Sequence, residues 1–231
     1  MSDHAPNPST PRTDLRAERM DYSGALLPDD LAGFDPFAFF AAWLEDAFDE
    51  QTAGRLAEPA AMVMSSIDTS HEPARATARV VLLKEWDRDG FVFYTHTDSA
   101  KGDQIGDNPG VGLLFWWPSL MRQIRIEGVA QPVSRAEVEE YFGQRPRGSQ
   151  VGAWASHQSR PRDSRAGFEA ELHEAEARFA DVEQVPCPPQ WGGYRVVPDL
   201  FEFWQGQPSR LHERVQAVLG EGSWTTTRLD P

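Results

Sequence analysis

The chain has 231 residues, 40% of them hydrophobic, and a formal net charge of −14 at pH 7. That length fits one large domain or two small ones, with enough apolar side chain for a core. The acidic balance excludes non-specific nucleic-acid binding, which needs a basic surface to displace counterions from phosphates, and it disfavours an anionic membrane surface. A small phosphorylated ligand in a local basic pocket stays open. Cys187 is the only cysteine, so neither a disulfide framework nor a cysteine-rich metal site is available. In Pro186-Cys187-Pro188-Pro189 it reads as an inert loop thiol. The start has no apolar signal-like region and no stretch is long enough to span a bilayer, so a cytoplasmic protein is expected.

Residues 1–18 contain a stretch rich in Pro, Ser, Asp and Asn and read as a disordered arm, with a single domain expected over 19–231. Asp35-Pro36 forms an N-cap followed by proline at the first helical position. Phe37, Phe40, Trp43, Leu44 and Phe48 then recur at helical spacing, to about Gln51. Strand-like runs follow at Ala61–Ile67, Ala78–Lys84, Phe91–Thr95, Val111–Trp117 and Gln123–Val129, with Asp87-Arg88-Asp89-Gly90 as a hairpin turn. A short helix is expected from Ser99 to about Asp107, stopped by Asn108-Pro109-Gly110. Ser134-Arg135-Ala136-Glu137 is a capping box opening a helix to about Gln144. Another helix follows Asp163, with Phe168, Leu172, Ala175 and Phe179 on one stripe. Strands return at Tyr194–Val197, Leu200–Trp204 and Trp224–Leu229. Short turns between such strands predict one α+β domain on a mostly antiparallel barrel.

Among the 22 Lys and Arg residues, only Lys84 and Lys101 are lysines. A compact ammonium does what a planar guanidinium cannot, although composition alone also explains the bias. Arg79-Val80-Val81-Leu82-Leu83-Lys84 carries charges at both ends of an apolar strand, and positions five apart face opposite sides unless the strand bends. Tyr141 and Arg145 share a helical face, and Arg147 and Ser149 follow in Pro146-Arg147-Gly148-Ser149, read as a loop. A phenol, a guanidinium and a hydroxyl converging there would cradle a phosphate; a core tyrosine beside solvated arginines is the alternative. In Arg210-Leu211-His212-Glu213-Arg214, an extended chain would project Arg210, His212 and Arg214 from one face, where an anion would relieve their repulsion. Trp204, in Phe203-Trp204-Gln205-Gly206, adds a large aromatic close by. His4, His71, His96, His157 and His173 are scattered without ligand spacing, so no metal is expected. No Gly-rich phosphate loop or nucleophile elbow is present.

These residues, together with Phe93-Tyr94-Thr95, Arg122-Gln123, Ser149-Gln150-Val151-Gly152-Ala153-Trp154, Gln158-Ser159, Trp191-Gly192-Gly193 and Glu202-Phe203-Trp204-Gln205-Gly206, resemble the pyridoxamine 5'-phosphate oxidase family. The similarity runs in order from about Arg19 to the C-terminus. It implies an α+β split β-barrel, mostly antiparallel with flanking helices, binding FMN at the interface of a homodimer. It implies oxidation of pyridoxamine 5'-phosphate or pyridoxine 5'-phosphate by dioxygen to pyridoxal 5'-phosphate and hydrogen peroxide. Arg79, Val80, Val81, Leu82, Leu83, Lys84, Tyr94, Thr95, Lys101, Gln123, Gln158, Ser159, Trp204 and Arg214 would then touch FMN. Lys84, Tyr141, Arg145, Ser149, Arg210 and His212 would hold the substrate, with Arg210 and His212 catalytic and Arg19 and Tyr22 as a lid. The chain departs from many members at Ala100, where they carry an arginine. A relative acting on another aromatic substrate, as in phenazine biosynthesis, and a non-catalytic flavin or pyridoxal-phosphate carrier are the competing readings.

Overall fold

The computed structural model describes residues 22–231, so the whole of the expected arm, residues 1–18, and Arg19 lie outside the described residues. Helix α1 (Pro36–Thr52) begins where the sequence requires. The Asp35 carboxylate accepts from the backbone N–H groups of Phe37 and Ala38, and Pro36 takes the first helical position. Phe37, Phe40, Trp43, Leu44 and Ala47 are buried on one face. Phe48, expected on that stripe, is instead 44% exposed.

Nine strands follow, interleaved with four more helices: β1 (Ala61–Asp68), β2 (Arg75–Leu82), β3 (Glu85–Asp87), β4 (Gly90–His96), α2 (Ala100–Asp107), β5 (Gly110–Trp117), β6 (Arg122–Pro132), α3 (Arg135–Gln144), α4 (Arg147–Ala155), α5 (Arg165–Phe179), β7 (Trp191–Gln205), β8 (Glu213–Gly220) and β9 (Ser223–Leu229). Every pairing is antiparallel. The sheet runs β2-β1-β5-β6-β7-β4-β3, and β8 pairs with β7 and carries β9. It is not closed by strand pairing between β2 and β3, and this open seam agrees with the split barrel expected.

Alternation along the strands separates two faces. Met62, Met64, Val111, Leu113, Phe115, Trp117, Ile124, Ile126, Phe201 and Phe203 point inward and pack with α1 in the main core. The Trp117 indole satisfies its N–H on the Pro59 carbonyl at 3.0 Å. A second core, with Val138, Phe142, Val151, Phe179 and Trp191, joins α3, α4 and α5 to the start of β7. On the opposite face, register places Val80 beside Val63, Val63 beside Leu114, Leu114 beside Arg125 and Arg125 beside Glu202. Trp116, Gln123, Trp204 and Arg214 form a second such row. This face is uncovered in a single chain: Val80 is 66% and Trp116 44% exposed.

Three elements escaped the sequence reading. Strand β3 has only three residues. Helix α4 contains Gly148 and Gly152, poor helix formers that made its first turn read as a loop. Strand β8 begins in the segment read for its charges. The two strands expected at Tyr194–Val197 and Leu200–Trp204 are one strand, β7. Pro198, which has no N–H for a ladder, sits at a register shift opposite Gly128, where a bulge tolerates it.

Helix α2 is held close to the end of β4 by a contact that only glycine permits. A Cβ on Gly102 would lie 2.0 Å from the Thr97 carbonyl oxygen, whereas one on Gly106 would meet nothing within 4 Å. Gly102→Ala is therefore expected to displace α2 and lower the midpoint of chemical denaturation. Gly106→Ala is expected to stabilise by about 0.5–1 kcal/mol through helix propensity. Equal effects from the two substitutions would contradict this packing.

Candidate active site

A cleft of about 690 Å³ opens between β2, β4, α2 and the α3–α4 corner, lined among others by Val80, Val81, Leu82, Lys84, Tyr94, Thr95, Lys101, Tyr141, Arg145, Ser149 and Gln158. These are eleven of the residues singled out from the sequence. They come together because β2 ends at Leu82 and the chain bends: Leu83 turns into the core, and the Lys84 N–H bonds the Val92 carbonyl at 2.9 Å. Lys84 thereby reaches the cleft although it lies five residues from Arg79. Ser159 sits at the turn after Gln158 with φ +66°.

The cleft is rich in cations that have no anionic partner among the described residues. The Lys101 ammonium is buried and donates to Thr95 Oγ1 at 3.0 Å, Ser99 Oγ at 3.3 Å and Gln158 Oε1 at 2.6 Å, all neutral acceptors. Burial, with a smaller effect from Arg79, pulls its pKa down to about 8. Arg79 lies just behind the cleft and donates to Ser66 Oγ at 2.6 Å, Thr77 Oγ1 at 2.9 Å and Gln104 Oε1 at 2.8 Å, again without a carboxylate. Buried charges left unpaired in this way are costly unless a ligand supplies the counter-charge.

A second group sits at the α3–α4 corner. Arg145 lies over the Trp191 ring at 4.7 Å, and its Nη1 is buried with no hydrogen-bond partner among the described residues. Burial lowers its pKa from the usual arginine value. Tyr141 stacks on Tyr94 at 4.1 Å and 9°, and Tyr94 stacks on Trp191 at 5.5 Å and 4°. The segment read as a loop is the opening of α4, whose N-cap, Pro146, offers no side-chain hydrogen bond. Its first N–H groups thus lack a side-chain cap beside Ser149 and Arg145, an arrangement suited to an anion. His96 and Trp191 also line the cleft; the resemblance includes Trp191 without a role, and His96 reads from the sequence only as a scattered histidine.

The other site residues lie elsewhere. Tyr22, Trp204 and His212 cluster at the far end of β7, with Trp204 4.6 Å from His212 and Tyr22 edge-on to both rings at 5.9 and 5.4 Å. Gln123 is the register partner of Trp204. None of these residues lines the cleft. From Gly193, opposite Tyr94, to Trp204 the chain runs eleven residues of β7, a contour of about 36 Å at strand rise. The extended ladder expected at Arg210, His212 and Arg214 is not formed. Pro208–Arg210 is a 3₁₀ turn with Ser209 and Arg210 at φ +57° and +66°, and β8 starts only at Glu213. Arg214 has its own anion: Glu202, 4% exposed, accepts from Arg214 Nε at 3.0 Å and Nη2 at 2.9 Å, and from Arg125 Nη2 at 2.6 Å. Glu202 was missed as a site-building residue because its motif was read for its aromatics. No group of three or more His, Cys, Asp or Glu able to hold a metal occurs among the described residues.

The fold matches that of FMN-binding split-barrel proteins. The structure of PhzG from Burkholderia lata 383, in complex with tetrahydrophenazine-1-carboxylic acid, superposes with a TM-score of 0.79 at 28% identity, over 90% of this chain and 100% of that one. A pyridoxamine 5'-phosphate oxidase-related, FMN-binding protein from Nostoc punctiforme shares the fold with a TM-score of 0.66 at 15% identity, covering 86% and 99%. Family profiles for pyridoxamine 5'-phosphate oxidase and for the pyridoxine 5'-phosphate oxidase C-terminal dimerisation region match residues 48–179 and 191–231. Proteins named pyridoxine/pyridoxamine 5'-phosphate oxidase from Bordetella petrii and Rubrobacter xylanophilus are each 47% identical, covering 92% and 97% of this chain and 97% and 100% of their own lengths. The chain belongs to the pyridoxamine 5'-phosphate oxidase family of FMN-dependent oxidoreductases.

The residues present fit such a cofactor, since the Lys101 and Arg79 cations lack the negative charge that a phosphate carries. An anion bound there favours the charged form of Lys101 and raises its pKa above the value near 8. The affinity of apoprotein for FMN should accordingly be insensitive to this group below pH 8 and fall from about pH 8 upward. Fluorescence titration from pH 6.5 to 9.5 measures this. Lys101→Arg, which stays charged throughout, should lose that decline; an unchanged pH profile in the variant would contradict the assignment.

Proposed function

We propose that the chain oxidises pyridoxamine 5'-phosphate or pyridoxine 5'-phosphate to pyridoxal 5'-phosphate, with dioxygen as final acceptor and hydrogen peroxide as product. The observation that carries this reading is the pair of cation groups in and just behind one cleft, neither paired with a carboxylate among the described residues. Lys101, Arg79, Thr95 and Gln158 suit the single phosphate of FMN. Lys84, Tyr141, Arg145 and Ser149, with the uncapped start of α4, suit the phosphate of a small substrate. FMN supplies the two-electron acceptor. The protein's own contribution is placement and charge: two fixed phosphates leave the substrate ring little freedom beside the flavin.

Arg210 and His212 are the residues assigned to the substrate ring, and Gln123, Trp204 and Arg214 to FMN. Their separation from the cleft within one chain supports a homodimer in which each site draws the cleft from one subunit and the β7–β8 cluster from the other. The uncovered sheet face carrying Val80, Leu114 and Trp116 lies between the two groups and is the natural contact. The C-terminal region matched by the dimerisation profile contains the whole β7–β8 cluster apart from Tyr22 and Gln123. A cytoplasmic location belongs to the same reading; no described helix is long and apolar enough to cross a membrane.

The likeness to PhzG favours a second reading, a flavin oxidoreductase acting on another aromatic compound. The substrate-phosphate seat separates the two. Aerobic incubation of FMN-loaded protein with each phosphorylated vitamer should yield pyridoxal 5'-phosphate and an equal amount of peroxide; no product from either would overturn the proposal. Arg145→Ala should raise KM for the phosphorylated substrate by about tenfold or more, the loss of one charge-assisted hydrogen bond. Unphosphorylated pyridoxine should be nearly indifferent to that change. Equal losses for both compounds would make Arg145 structural.

A further inference from the structure

The far cluster contains a hydrogen bond that fixes the protonation of one of its rings. The backbone N–H of Gln207 donates to Nδ1 of His212 at 3.1 Å. A ring nitrogen that accepts from an amide carries no proton, so the neutral imidazole keeps its proton on Nε2. Nε2 has no partner among the described residues and remains available to a ligand. The geometry that brings ring and donor together is held from several directions. Ser209 and Arg210 adopt left-handed backbone conformations, an unfavourable choice for two successive non-glycine residues, and the resulting tight turn returns residue 212 to residue 207. The Gln207 side chain donates to the carbonyls of Gly24 and Ala25, both at 3.0 Å, and the Gly24 N–H bonds Gly206 O at 3.0 Å. Trp204 and Tyr22 pack on the ring itself.

We propose that Gln207 is a positioning residue that holds His212 as the Nε2–H tautomer, so that His212 meets the substrate as a hydrogen-bond donor and not as a proton acceptor. The identity of that substrate rests on the oxidase reading above. The imidazolium form would place a second proton on Nδ1, against the Gln207 N–H, and would sacrifice that bond. The surrounding charges act in the same direction. Burial, and then the Arg210 cation, hold the ring below the usual histidine pKa. Glu213, the adjacent carboxylate in sequence, is paired with Arg228 at 2.5 Å. Tyr22 and Trp204 bring no charge.

The test is long-range proton–nitrogen correlation NMR of FMN-loaded protein labelled with ¹⁵N-histidine, with His212 assigned by comparison with His212→Gln. The expected spectrum shows Nε2 protonated and Nδ1 unprotonated at pH 7. A proton on Nδ1, or an imidazolium at pH 7, would overturn the inference. An independent arm compares two variants in turnover. His212→Gln retains an amide donor near the reach of Nε2, whereas His212→Asn can face Gln207 but not the substrate. The glutamine variant should keep about tenfold more kcat than the asparagine variant, the worth of one hydrogen bond, with FMN retained in both. The reverse order would also overturn it. Failure of the wild-type protein to oxidise either vitamer would defeat the oxidase reading and leave the tautomer measurement standing, so the two failures are distinguishable.

Discussion

The length of one strand governs the arrangement of the site. β7 runs fifteen residues, from Trp191 to Gln205, and pairs with β4 at its start, with β8 at its end and with β6 along most of its length. A backbone hydrogen-bonded on both sides is rigid on the scale of a bound ligand. Whatever its first residues organise is therefore held apart from whatever its last residues organise. The first end supports the aromatic stack of Trp191, Tyr94 and Tyr141 and the cleft behind it. The last end supports Glu202, Trp204 and, through the turn after Gln207, His212. On the reading proposed above, a second copy supplies the group that one chain holds at the far end of β7.

The electrostatics follow from the same division. In the cleft and just behind it, Lys101, Arg145 and Arg79 are desolvated and, among the described residues, face neutral acceptors or aromatic rings, a condition stabilised by bound anions. At the far end, Arg214 and Arg125 are already clamped by the Glu202 carboxylate; its burial pushes its pKa up, and the two guanidinium groups together outweigh that and hold it below the usual glutamate value. One region is left short of negative charge and the other is balanced in advance. That contrast suits the reading proposed above, with attraction for phosphates in the cleft and already neutralised side chains at the far end.

Much of this was legible in the sequence where a local rule has a single outcome. Ser134 and Glu137 cap each other as a capping box, Ser99 opens α2, and the Asp87–Gly90 turn joins β3 to β4. The strand-like runs at Val111–Trp117 and Gln123–Val129 fall within β5 and β6. Site residues quoted from motifs fell into two spatial groups, which spacing alone does not reveal, because the division depends on where β7 ends. The reading failed where local preference was overruled by tertiary context. Gly148 and Gly152 weaken α4 locally, but packing of Val151 and Ala153 in the second core sustains it. Arg210 and His212 looked like alternate positions of a strand, yet a left-handed turn sets their directions. Arg214 looked like a cation awaiting a ligand, and its partner, Glu202, lies twelve residues earlier on the neighbouring strand.

The account stands on completion of each site by a second subunit, and subunit complementation measures that directly. One variant carries Lys101→Met with Arg145→Ala, which disables the cleft; the other carries Arg210→Ala with His212→Ala, which disables the far cluster. Each homodimer should be inactive alone. After unfolding and refolding together with FMN, half of the dimers are mixed, and each contains one site with both halves intact. Activity should then rise to about a quarter of the wild-type value, as a shared site in a twofold dimer demands. A mixture that remains as inactive as its components, while mixed dimers are shown to form, would mean that both groups of residues serve a site within one chain and would contradict the account.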